Sequence, residues 1–130
     1  MYWTSCYSSI LGILYLLLSF KVIKIRRSKQ VSLGSGSDEQ LKQAIRAHGN
    51  FIEYVPFALI LLFLSEFNGA PEFIIHFAGL ALLLGRIIHA LSFNFYPPKG
   101  KLRVLGMVLT FSSIFFGVIA NITILSLGYL

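Results

Sequence analysis

Four apolar stretches, each long enough to cross a bilayer as a helix, take up most of this 130-residue chain. A hydrocarbon core about 30 Å thick needs about 20 helical residues to span it. Inside lipid the backbone must also satisfy its own hydrogen bonds, which a helix does within one segment. Hydrophobic residues make up 56% of the sequence and its mean hydropathy is +0.78, too apolar for a soluble domain of this size. The pattern predicts an all-α membrane protein, a bundle of four transmembrane helices forming one domain over residues 1–130. The expected helices cover about residues 2–27, 38–67, 72–93 and 102–125. The first stretch lacks a basic lead-in and a small-residue cleavage site, so it reads as a retained helix and not as a removed signal peptide.

The breaks between these stretches carry the charge. Val31 to Ser37 contains Gly34 and Gly36, and Asp38 after it is a suitable cap for the second helix. Pro97 and Pro98 interrupt the chain between the third and fourth helices. A net charge of +6 would point to nucleic acid in a soluble chain. Here the cations sit beside helix ends, where they set topology, so no nucleic-acid partner is expected. Lys21, Lys24, Arg26, Arg27 and Lys29 follow the first helix, and Lys99, Lys101 and Arg103 lie before the fourth. Both loops are therefore expected in the cytoplasm, with the acidic turn around Glu66 and Glu72, and both termini, on the other side. Cys6, the lone cysteine, reads as a small hydrophobe.

The second apolar stretch opens with Arg46-Ala-His-Gly-Asn50-Phe-Ile-Glu53-Tyr54-Val-Pro56. Positions 46, 50 and 53 share one helical face, so a cation, an amide and a carboxylate can converge on one ligand or on one another. Charged groups in membrane helices face a bundle interior or a wet cavity, and they mark a binding or catalytic site by default. The alternative is a structural Arg46–Glu53 pair. His48 points away from that face and suits an interfacial or subunit contact. Pro56 removes the hydrogen bond to the carbonyl of Ile52 and is expected to kink the helix. Arg86 and His89, three residues apart on the third helix, look inward near the same end, with Arg86 placed to neutralise Glu53. His76 lies at the far end and takes a structural role. Metal-ligand spacing, a phosphate-binding glycine loop and a nucleophile elbow are all lacking. What remains is a cationic, amide-lined pocket at the membrane surface, suited to an anionic polar molecule meeting a hydrophobic one.

The run from Arg46 to Pro56 resembles the second-helix signature of the MAPEG family, membrane-associated proteins in eicosanoid and glutathione metabolism. The likeness extends to Arg26-Arg27 and to Gly85-Arg86 with His89, covers essentially the whole chain, and is greatest to small bacterial inner-membrane members. It implies a homotrimer of four-helix subunits, with glutathione as cofactor bound between neighbours near the cytoplasmic face. By position it assigns Arg46, Asn50, Glu53 and Tyr54 to glutathione, with Arg26, Arg86 and His89 at the same site, and gives Arg103 the catalytic task of stabilising the thiolate. The chemistry is consistent with this, because arginines suit the two glutathione carboxylates, Glu53 its amine and Asn50 its amides. A guanidinium beside the sulfur would lower the thiol pKa.

Two positions depart from the family pattern. Phe93 stands where family enzymes often have a tyrosine, and Val104 follows Arg103 where some members have a serine. The leading expectation is a microsomal-type glutathione transferase or peroxidase acting on hydrophobic small molecules delivered by membrane lipid. The rival is a non-catalytic membrane module binding a lipid or thiol metabolite. A small transporter fits least, because the charges gather at one interface and not along a path across the bilayer.

Overall fold

A computed structural model describes residues 2–95 and 97–128. Its helices are α1 (Tyr2–Lys29), α2 (Glu39–Phe67), α3 (Glu72–Ser92) and α4 (Gly100–Gly128). All four are long and apolar enough to cross a membrane. They match the expected spans and run past them at the polar ends of α1 and α4. Phe93, expected inside α3, is instead its C-cap. Pro56 does not end α2, which is continuous on both sides of it.

The start of α2 follows from local chemistry. Asp38 adopts an extended backbone, and its carboxylate accepts the Leu41 N–H at 2.7 Å, satisfying a donor that the first helical turn leaves free. Lys29, at the end of α1, meets the same carboxylate at 2.9 Å, so one side chain caps α2 and ties it to α1. Both contacts hold the Asp38 carboxyl below the usual carboxylate range, the Leu41 N–H contributing most. Gln30, Gly34 and Gly36 take positive φ in the intervening loop, which reverses the chain over a short distance.

α3 packs most extensively on α4, and α1 on α2; among the described residues α1 and α4 do not touch, lying on opposite sides of the α2–α3 pair. The α3–α4 approach depends on glycine. A Cβ on Gly85 would lie 2.8 Å from the Gly106 carbonyl oxygen, and one on Gly106 would lie 2.7 Å from that of Gly85. Small residues that bring backbones together are a common basis of helix association in membranes. Leu11, Leu18, Phe51, Val55 and Leu82 fill the interior between α1, α2 and α3. Leu17, Phe20, Phe57, Phe73 and Phe115 are exposed on the outer surface, as suits residues facing acyl chains. Interior polar side chains of α4 find partners: the Asn121 amide donates to the Leu61 carbonyl and to Ser65 Oγ, and Thr110 Oγ1 to the Gly106 carbonyl.

At one end of the bundle, the Glu66 carboxylate accepts the backbone N–H groups of Trp3 and Thr4 at 3.0 and 2.9 Å, capping α1 from the last turn of α2. His76 sits beside this cap, against the Trp3 ring and within 2.9 Å of the Tyr7 hydroxyl. Its expected place far from the polar cluster of α2 is where the structure puts it. The opposite end gathers the close of α1, the start of α2, the close of α3 and the start of α4.

Candidate functional site

At that second end, α2, α3 and the start of α4 enclose a recess of about 230 Å³. Its α2 wall is a helical stripe, Glu39, Gln43, Arg46 and Asn50, spaced by three or four residues and so stacked on one face. From α3 come His89 and Phe93, and from α4 Arg103. His89 is buried at 5% exposure. The Arg103 guanidinium lies over the Phe93 ring, 5.3 Å from its centroid, a position that fixes the cation at the edge of the recess. Lys42 also lines the mouth and pairs with Glu39 at 3.3 Å. Three permanent cations against one carboxylate leave the recess with a positive surplus.

Behind Asn50 lies a second polar layer. Arg86 is 1% exposed, and its Nη1 donates to Asn50 Oδ1 at 2.8 Å. Its Nη2 reaches the Gly106 carbonyl and Met107 Sδ, and its guanidinium lies 5.9 Å from the centroid of the Tyr54 ring. Its Nε has no hydrogen-bond partner among the described residues. A buried cation held by dipoles alone is costly, and it fixes the Asn50 amide in one orientation. Tyr54 meets Phe111 edge to face, which closes this layer toward α4.

The protomer thus brings together Arg46, Asn50, His89 and Arg103, and places Arg86 and Tyr54 behind them. Glu53 and Arg26 stand apart. Glu53 is exposed on α2 and does not line the recess. Arg26 donates to the Gly34 carbonyl at 2.7 Å and lines a separate surface hollow with Ile23 and Gln30. The expected neutralisation of Glu53 by Arg86 is corrected: Arg86 reaches Asn50, one turn nearer the recess. The alternative Arg46–Glu53 pair is also not formed; the ion pairs between described residues are Lys29–Asp38 and Lys42–Glu39. His48 does face away from the stripe, and it is tied within its own chain, its Nε2 lying 2.9 Å from Ser19 Oγ. Glu39, Lys42 and Gln43 line the recess without being expected there from the sequence. Their spacing back from Arg46 on the same face is the signal that points to them.

A larger groove of about 610 Å³ at the opposite end, between the α2–α3 turn and the last turns of α4, is apolar, and no ionisable side chain among the described residues lines it. Of these two cavities, the recess is the one lined by charged side chains. Residues 4–123 match the profile of the MAPEG family. Inner membrane protein YecN of Escherichia coli K12 is 34% identical over 119 residues, covering 92% of this chain and 89% of that protein. The YecN protein of Escherichia coli O6:H1 matches to the same extent. A four-helix membrane bundle with its lysines and arginines collected at one end is the class these observations define. The chain belongs to the MAPEG family.

Proposed function

We propose that this protein binds glutathione at the recess and presents its thiol to lipophilic electrophiles or lipid hydroperoxides at the surface of the bacterial inner membrane. One observation carries the reading: Arg46 and Asn50 of α2, His89 of α3 and Arg103 of α4 converge on one cavity that has more positive charge than negative. Glutathione offers two carboxylates, one ammonium group, two amides and a thiol whose anion is the nucleophile. Arg46 and Lys42 suit the carboxylates, and the Asn50 amide, held by Arg86, suits a peptide group. Arg103, fixed over Phe93, is the cation available to favour the thiolate. An acceptor dissolved in the bilayer would reach the sulfur laterally. The inner-membrane location is supported by the YecN relatives.

The recess of one protomer is smaller than the several hundred cubic ångströms typical of small-molecule sites, and it contains no carboxylate for the ammonium group except the paired Glu39. A homotrimer would supply the remainder, with Glu53 and Arg26, both outward-facing, meeting the ligand across an interface. In this orientation the loops after α1 and before α4 are cytoplasmic.

Calorimetry on the detergent-purified protein, followed by a scan of thiolate absorbance against pH, tests the proposal. Saturable glutathione binding with a depressed thiol pKa is the expected result. Saturable binding with an ordinary thiol pKa would favour the second reading, a non-catalytic binding module, which Phe93 and Val104 support because they supply no hydroxyl near the sulfur. No binding would remove both glutathione readings.

A further inference from the structure

The two acidic side chains at the start of α2 are already engaged. Asp38 pairs with Lys29 and caps α2, and Glu39 pairs with Lys42. Lys21, Lys24, Lys99 and Lys101 at the same end have no acidic partner among the described residues. Two of these lysines engage neighbouring residues of the segment that follows α3. Lys21 Nζ, at the end of the α1 span, donates to Asn94 Oδ1 at 2.8 Å, and Lys99 Nζ lies 3.8 Å from the centroid of the Phe95 ring on the next residue. Lys24, exposed, follows Lys21 by three residues on the same helical face.

This cluster lies on the α1–α3 seam and shares no residue with the recess, which opens between α2, α3 and α4. Toward the bilayer centre both helices present exposed apolar side chains: Leu17 stands one turn before Lys21 at 61% exposure, and Leu91 lies in the last turn of α3 at 49%. Ammonium groups directly above lipid-facing leucines, with an aromatic ring at the boundary, match a molecule that has a negative head and apolar tails. Lysine and aromatic side chains are the usual residues at that depth.

We propose that the α1–α3 seam is a binding site for an anionic phospholipid, with Lys21, Lys24 and Lys99 holding the phosphodiester headgroup and Leu17 and Leu91 bordering the acyl chains. Asn94 fixes Lys21, and Phe95 fixes Lys99, so two cations are placed in advance and less side-chain entropy is lost on binding. The site is independent of glutathione. It selects which lipid lies beside the protein, at the end of the bundle where the recess opens.

The test uses the full chain reconstituted in dioleoylphosphatidylcholine vesicles that carry trace spin-labelled phosphatidylglycerol or spin-labelled phosphatidylcholine. The motionally restricted fraction of each label reports its association with the protein. The expected result is a preference for phosphatidylglycerol that weakens with added salt. Each basic residue at an anionic surface contributes about fivefold in association. Lys21→Gln with Lys99→Gln should therefore remove most of the preference, Lys21→Arg with Lys99→Arg should keep it, and Lys42→Gln at the recess should leave it unchanged. Circular dichroism of each variant shows whether the helices are retained. Equal association of the two labels with the wild-type protein overturns the proposal. A preference that survives loss of both lysines, or that falls equally with Lys42→Gln, overturns the seam as its location and assigns the effect to the overall charge.

Discussion

Arg86 Nη1 donates to Asn50 Oδ1 at 2.8 Å, joining a fully buried cation on α3 to an amide on the recess wall contributed by α2. The bond links stability to the site. Asn50→Ala leaves the Arg86 guanidinium without its best acceptor, and the loss of a hydrogen bond to a charged group costs about 1.5–3 kcal/mol. A lowered thermal midpoint in detergent, together with weaker glutathione binding, is the expected outcome. An unchanged midpoint would mean that water or lipid replaces Asn50 at no cost.

The glycine contact between α3 and α4 gives a sharper contrast. Gly85→Ala or Gly106→Ala places a methyl group against backbone atoms that cannot move aside independently, and overpacking of this kind costs about 1–3 kcal/mol. Gly49, inside α2, should respond in the opposite sense, because a methyl group there would meet nothing within 4 Å. Gly49→Ala is expected to stabilise by about 0.5–1 kcal/mol through helix propensity. Thermal melts of the three variants side by side check both signs.

Asp38 gives the protein a pH dependence outside the membrane span. Its folded-state pKa is depressed by the Leu41 N–H and by Lys29, so its stabilising effect is complete above the unfolded value of about 3.9 and is lost as pH falls through the folded value. Asp38→Asn keeps an oxygen for the cap but gives up the ion pair and the titration. Stability measured by unfolding between pH 6 and 3 should fall toward acid more in the wild-type protein than in Asp38→Asn.

Arg103 and Glu53 should fail differently. Arg103→Ala is expected to retain much of the glutathione affinity while raising the bound thiol's pKa and slowing any turnover. Glu53→Gln is expected to weaken binding by about 1.5–3 kcal/mol, as for a charge-assisted hydrogen bond to the ligand's ammonium group. Because Glu53 is exposed in the protomer, that loss requires an assembled interface, which cross-linking in mild detergent detects as a trimer. Normal affinity in Glu53→Gln would place the ammonium group elsewhere.

Topology has a direct readout. In a Cys6→Ser background, cysteine at Asn68 should react in intact cells with a membrane-impermeant thiol reagent, and cysteine at Gly34 should be protected. The reverse pattern would invert the bundle.

The helices were legible because apolar length is a one-dimensional property. So was the cap at Asp38, whose N–H partner, Leu41, lies three residues along the chain. The stripe from Arg46 to Asn50 was visible for the same reason. The partner of Arg86 was not, since Asn50 and Glu53 share a face and are about 4.5 Å apart along the axis, and choosing between them requires the offset of α3 against α2. The capping of α1 by Glu66 joins residues more than 60 positions apart, and the turn containing Glu66 gave only its charge to a reading of topology. Gly85 and Gly106 are likewise ordinary in sequence until the crossing of α3 and α4 places one against the other.

That crossing also determines how the recess can change shape. With backbone against backbone at Gly85 and Gly106, α3 and α4 have no room to close further on one another beside His89 and Arg103. The α2 wall meets them through a side chain instead, at the Arg86–Asn50 bond. A change in the width of the recess that keeps the glycine contact would therefore fall on α2, and would have to stretch or exchange that bond.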